Sequence, residues 1–323
     1  MKPAFSVIFL TTLIGAAQGL FLALFTHQSY SLFGLVPMQS GSFYGYGSVI
    51  ALALLVGGLI ASFFHLGRPE RAWRTATQWR TSWLSREVIV LPAFMGIVFI
   101  YGFAHLAGYN PDVVTIPDVL VIDLTTVLGI AGTLLAFALF ICTGMIYACL
   151  RFLREWHSPL TVINYTLMGG SSGFILAAFY SAVAAPAQTA FFAGWSVVIT
   201  LLAFSGRAAS LVRNAHLKPK STIQTAIGIK HPKIVQRSMG AMGGSFNTRE
   251  FFHGKSEAFL RTIKPGFLVM AFVVPLALLA FGIHSPILLG VAFILQYLGL
   301  MAERWFFFAQ ANHPQNLYYQ TIG

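Results

Sequence analysis

Charge is scarce in this 323-residue chain: Asp, Glu, Lys and Arg make up only 9% of it. A water-soluble protein carries about 25%. So little polar surface cannot face water all round, which excludes a soluble nucleotide-binding domain and a disordered tail. Cysteine is scarcer still, with Cys142 and Cys149 the only two. A disulfide scaffold is excluded, and two thiols cannot hold an iron–sulfur cluster, which takes four. Both lie in one apolar segment and read as packing residues. Acid is short as well, nine residues against twenty Lys and Arg for a net charge of +11. In a soluble protein that excess would point to nucleic acid. Here it reads as cationic loops on the cytoplasmic face of a membrane protein.

Hydrophobic residues supply what charge does not, at 57% of the chain, with 15% aromatic and a mean hydropathy of +0.74. A helix needs about 20 apolar residues to cross about 30 Å of hydrocarbon. Eight segments qualify: 5–26, 44–65, 87–107, 119–149, 160–184, 190–211, 264–282 and 285–309. Met1-Lys2-Pro3 leads straight into an apolar run too long for a cleavable signal, so that run reads as the first span. The expected fold is a single-domain, all-α polytopic membrane protein of eight transmembrane helices. Span four is long enough to tilt or to project. Gly169-Gly170-Ser171-Ser172-Gly173 in span five invites close helix packing, and Pro92 and Pro275 should kink their spans.

The charges test this count. Eight spans put both termini on one side with the loops after spans two, four and six. That side takes Lys2, the five arginines between Arg68 and Arg86, Arg151, Arg154, eleven cations from Arg207 to Lys264, and Arg304: all twenty. The opposite loops carry only Asp112 and Asp118. Segregation this complete predicts cytoplasmic termini.

Two basic-side connections stand out. In residues 67–86, Gly67 could close span two in a left-handed cap, and Pro69 suits the first turn of a helix. Arg71, Arg74, Trp73 and Trp79 then describe a short helix in the headgroup layer. The basic loop 212–263 is too long to be structureless without a function, and reads as a docking surface or a lipid-bound apron.

Candidate chemistry sits at the same interface. His65 closes span two and Glu87 opens span three, and the short connection makes these spans neighbours. An imidazole beside a carboxylate at the hydrocarbon edge can exchange protons with a hydrophobic redox carrier such as a quinone. The bland alternatives are an interfacial histidine and a first-turn carboxylate behind a Ser85 cap. For haem, no two of the nine histidines fall mid-span at matching depth, so haem is not expected. An outer His27–His105 pair is the one arrangement left open. Glu303 and Arg304, about 100° apart on span eight, are expected to brace against other helices. Asp123 has no evident partner. No P-loop, Rossmann fingerprint, serine elbow or metal-ligand cluster is present, so redox chemistry would need electron-carrying partners.

These residues carry a resemblance. The run His65-Leu66-Gly67-Arg68-Pro69-Glu70-Arg71-Ala72, then Leu84-Ser85-Arg86-Glu87, resembles the signature of the dimethyl sulfoxide reductase membrane-anchor family. The glutamate and arginine of span eight and the eight-span plan are similar too. The resemblance implies a haem-free anchor in a complex with a molybdopterin catalytic subunit and a four-cluster iron–sulfur subunit. It also implies a quinone site served by His65 and Glu87, with Gly67, Arg68, Arg71 and Arg86 around them, and no metal in this chain. Within the family, RPERAWRTATQWRTSWLSRE and ERWFFFAQANHPQNLYYQ are most similar to anchors of quinone-linked sulfite dehydrogenases. A positive, cytoplasmic motif side suits oxidation of sulfite in the cytoplasm. Reduction of a sulfoxide, polysulfide or tetrathionate by quinol is the alternative. Transport would need broken helices with midplane polar groups, of which only Asp123, Glu303 and a few Ser/Thr qualify. A purely structural anchor is argued against by His65 and Glu87.

Overall fold

The computed structural model describes residues 4–116, 120–218, 222, 224–225, 228–231 and 255–313. Eight helices among these residues are long and apolar enough to cross a membrane. They are α1 (Phe5–Leu32), α2 (Gly41–Phe63), α3 (Trp83–Ala107), α4 (Leu124–Ala148), α5 (Pro159–Ala184), α6 (Thr189–Ala215), α7 (Glu257–Phe281) and α8 (Pro286–Ala309). Their starts follow from local chemistry. Ser40, Ser82, Ser158, Ser256 and Ser285 are extended N-caps whose hydroxyls accept the orphan amides of α2, α3, α5, α7 and α8. Pro159 and Pro286 occupy first-turn positions, where proline loses no hydrogen bond.

Helices α1 and α5 are the most enclosed, with α2, α4, α6 and α8 packed around them. Glycine sets the spacing. A Cβ on Gly173 would overlap the Gly19 carbonyl carbon and the Leu20 nitrogen, so the two backbones touch as small residues permit. Polar side chains stitch the interior. Gln296 of α8 donates to Ser171 of α5 at 2.6 Å, and Ser171 shares a 2.7 Å hydrogen bond with Thr200 of α6. The outward faces carry exposed Ile60, Phe99, Leu134 and Ile294, suited to lipid.

Several expectations are corrected. Span four does not project: α4 begins at Leu124, and residues before it form a two-stranded hairpin, β1 (Asp112–Ile116) and β2 (Leu120–Asp123). The fold is therefore all-α across the membrane with one small antiparallel sheet outside it, because β-branched VVTI and LVID pair once clear of the bilayer. Gly67 is no left-handed cap: α2 ends at Phe63 with Phe64 as a right-handed C-cap, and Gly67 has no positive φ. Pro69 does start a helix, but the segment Pro69–Gln78 is 3-10 rather than α and buries none of its side chains. Pro92 lies within an unbroken α3, whereas ahead of Pro275 α7 widens into a π-turn at Val269–Val273. That turn absorbs the amide that proline lacks. Most of loop 212–263, and with it the docking expectation for 232–254, lies outside the described residues, as do Lys2 and Asp118.

Candidate functional site

Helix α3 begins at Trp83 under the Ser82 cap, four residues earlier than the apolar run suggests. Ser85 is thus not the cap, and Glu87 is not a first-turn carboxylate. It sits in the second turn, beyond the orphan amides a helix dipole acts through. Its carboxylate instead turns inward and accepts a 2.5 Å hydrogen bond from the Thr143 hydroxyl of α4. The two residues line a narrow cavity with Gln18 of α1, Tyr165 and Ser172 of α5, and Arg304 of α8. About 20 Å³ in volume, it has room for water but not for an aromatic ring.

Arg304 is fixed from two sides. Its guanidinium lies 3.7 Å over the Tyr165 ring, and its Nη1 is 3.1 Å from Glu303 Oε2. The other Glu303 oxygen lies 2.8 Å from Arg207 Nε of α6. Bracing against another helix is therefore borne out for Glu303, but the expectation that Glu303 and Arg304 avoid each other is corrected. A bidentate carboxylate bridges the 100° between successive residues. Arg207, counted in sequence with the loop cations, lies inside α6 and is buried against Glu303 of α8.

His65 and Glu87 are not brought together. His65 stands on an exposed turn two residues past α2 and does not line the Glu87 cavity. Partial desolvation lowers its pKa from 6.5, so at pH 7 the ring is neutral and able to accept a proton. Its preceding neighbour Phe64 ends an open apolar groove of about 430 Å³ between α1 and α2, lined also by Phe9, Leu13, Gly57 and Ile60. Helix α1 walls both spaces, presenting Phe9 and Leu13 to the groove and Leu10 and Ile14 to the cavity.

The remaining motif residues shape the connection. Gly67 and Arg68 are exposed, and Arg71 lies 4.0 Å from Glu70 in a solvent-facing pair. Arg86 donates from Nε to the Trp79 carbonyl at 2.9 Å and from Nη2 to the Arg80 carbonyl at 2.8 Å, with its guanidinium 4.2 Å over the Trp83 ring. The Ser85 hydroxyl holds the Thr75 carbonyl. Together these bonds lay the 3-10 segment against the start of α3, over the Glu87 end of the bundle.

At the opposite end, His27 uses both ring nitrogens, bonded to the Tyr44 hydroxyl at 2.9 Å and Gln188 Oε1 at 3.1 Å. The Tyr44 ring also stacks on His105 at 4.8 Å, so Tyr44 stands between the two histidines. A haem bound by this pair does not fit. Asp123 is explained by its own helix. It caps α4, accepting from Thr126 N at 2.7 Å, Thr125 Oγ1 at 3.0 Å and Asn110 Nδ2 at 2.6 Å. No group of three or more metal-ligating side chains occurs among the described residues.

Sequence reasoning missed Thr143, Tyr165, Gln18 and Arg207. Only Arg207 left a signal, an arginine inside the sixth apolar run; the others are ordinary residue types in apolar helices.

Two comparisons bear on this arrangement. The C subunit of the sulfite dehydrogenase of Allochromatium vinosum is 55% identical over 325 aligned positions that cover all of both chains. Residues 1–310 match the family described as DMSO reductase anchor subunit (DmsC). An eight-helix bundle with this motif and this match belongs to the DMSO reductase anchor subunit family.

Proposed function

We propose that this chain anchors a molybdopterin and iron–sulfur oxidoreductase in the bacterial cytoplasmic membrane and exchanges its electrons with the quinone pool, most directly for cytoplasmic oxidation of sulfite. The observation that carries this reading is the Glu87 carboxylate, turned from lipid into a water-sized cavity that Gln18, Thr143, Ser172 and Arg304 also line, just inside the basic end of the bundle. Ionisable groups at that depth serve function more often than stability. The name of the Allochromatium vinosum relative supports sulfite as the substrate of the partner, and the segregation of cations supports a cytoplasmic basic side.

Quinone, when bound, accepts two electrons and two protons. This chain's residues supply the proton half. Glu87, held by Thr143, gives up a proton and recovers one; neutral His65 beside the groove is a second exchange group. The cavity is too small for a ring, so a head group stays outside it, below the roof formed by the 3-10 segment, and takes its protons from Glu87 at the cavity's edge. The groove between α1 and α2 is large enough for apolar parts of the carrier. The connection 67–86 and the loop 212–263 form the docking face, where their positive charge meets an acidic iron–sulfur subunit that the catalytic subunit joins. Quinol-driven reduction of a sulfoxide is the second reading, favoured by the family's description. The potentials of the partners set the direction.

Glu87→Gln tests the site. Gln keeps the shape and can still pair with Thr143, so assembly persists while sulfite-to-quinone turnover collapses, by about 100-fold or more if proton transfer is lost. Turnover with an artificial acceptor drawing on the soluble subunits stays near normal. An unchanged ratio of the two activities would remove Glu87 from the reaction.

A further inference from the structure

A second narrow cavity, about 10 Å³, lies beside the first and shares Tyr165, Met168 and Arg304 with it. It runs toward the basic face, where Glu155, Arg213 and Asn214 line its end. Each cavity holds a polar atom without a protein partner among the described residues: Ser172 Oγ in the first and Asn164 Oδ1 in the second. Both residues are almost fully buried, at 1% and 4% exposure. Leaving such an atom bare costs about 1–3 kcal/mol, and a space of this size with several polar groups on its wall, such as Gln18, Thr143 and Glu87 in the first and Thr161 and Ser210 in the second, is where ordered water stands. The opposite direction is closed. Above Gln18, Phe21 packs edge-on against Phe94 at 5.5 Å and Tyr101 at 5.3 Å, all three buried.

We infer that protons reach Glu87 from the basic face through water held in these two cavities, with Tyr165 and Arg304 as the wall between them. The inference rests on the proposed role of Glu87 and adds the route. Each proton that Glu87 passes to a quinone oxygen is replaced from the basic side, while the two electrons come from the iron–sulfur partner. Charged groups facing the route are Glu155 and Arg213 at its mouth and the Arg207–Glu303–Arg304 cluster along it. That cluster carries a net +1, which opposes a free hydronium ion, so the proton moves by exchange along neutral donors and acceptors: Ser158 and Thr161, water on Asn164, the Tyr165 hydroxyl, then water beside Thr143 and Glu87. Across the first cavity, Arg304 stabilises the anion that Glu87 becomes as its proton leaves for the quinone, until the next proton arrives along the route.

Water can be tested without turnover. X-ray radiolytic footprinting of the assembled complex labels buried side chains only where water stands against them. Met168 and Tyr165, at 1% and 4% exposure, should be labelled, and Phe94, at 0%, should not. Unlabelled Met168 and Tyr165 would overturn the route. Asn164→Leu then removes the water-holding amide at similar volume. Quinone-linked turnover should fall about tenfold or more with artificial-acceptor turnover intact, and small permeant weak acids such as azide should restore it by carrying protons past the block. No loss, or a loss that weak acid leaves in place, would overturn the inference. Failure of the Glu87 reading shows separately, as unchanged quinone turnover in Glu87→Gln.

Discussion

Arg207 of α6 and Glu303 of α8 meet at 2.8 Å with side chains only 2% and 0% exposed. Their separation is that of an ion pair, although the N–H does not point squarely at the oxygen. Glu303 also serves Arg304, so one carboxylate balances two buried guanidinia and ties the last helix to α6.

Removing that carboxylate leaves two cations in low dielectric. Glu303→Ala should cost about 3–5 kcal/mol, the range for breaking a buried pair. Thermal unfolding of detergent-purified protein should show a large drop, with little assembled complex in membranes. A shift no larger than that of an exposed-pair variant such as Glu257→Ala would show the cluster is not needed for stability.

The contact of α1 with α5 gives a second test. Gly173→Ala places a Cβ on the Gly19 and Leu20 backbone, and overpacking of this kind costs about 1–3 kcal/mol. The same change at Gly194, where a Cβ meets nothing within 4 Å, should leave the melting temperature nearly unchanged.

Asp123 predicts an acid response at the opposite end. Burial raises its pKa, but hydrogen bonds from Thr126, Asn110 and Thr125 outweigh it and hold the carboxyl below its ordinary value. A depressed carboxyl contributes stability in full above the unfolded value near 3.9 and loses it as pH falls through the folded one. Asp123→Ala should cost about 0.5–2 kcal/mol at neutral pH through the lost cap. It should also flatten the fall in stability as pH drops below about 4. Melting curves across that range measure both, and equal acid sensitivity in the two proteins would refute the assignment.

Arg86 concerns the roof. Its two bonds to carbonyls of the connection are each worth about 0.5–1.5 kcal/mol net. Arg86→Lys keeps the charge but cannot span both acceptors. Hydrogen exchange in residues 69–82 should quicken, with exchange in α5 unchanged. If the segment is equally protected, the 3-10 roof is held by something other than Arg86.

Much of this was legible in the chain. Eight apolar runs, serines and prolines at their starts, and cations confined to alternate connections required eight membrane helices, because a backbone in hydrocarbon must satisfy its own hydrogen bonds. Glu87 was legible as well, being the carboxylate that opens a span on the basic side. The boundaries were not. Where α3 begins depends on the Ser82 cap rather than on hydropathy, and it moved Glu87 from the edge into the interior; packing against Glu303 did the same for Arg207.

Composition, periodicity and charge by themselves determined that the chain crosses a membrane eight times and which residues share its basic side, since those follow from transfer free energies that act residue by residue. Only the tertiary structure decided which partners those residues meet. His65 and Glu87 are 22 positions apart in sequence, yet His65 stands exposed outside the cavity that Glu87, Tyr165 and Arg304 line together. The reason is rotational: a helix of 3.6 residues per turn aims each side chain by its packing, and nothing in a uniformly apolar helix specifies which face turns inward.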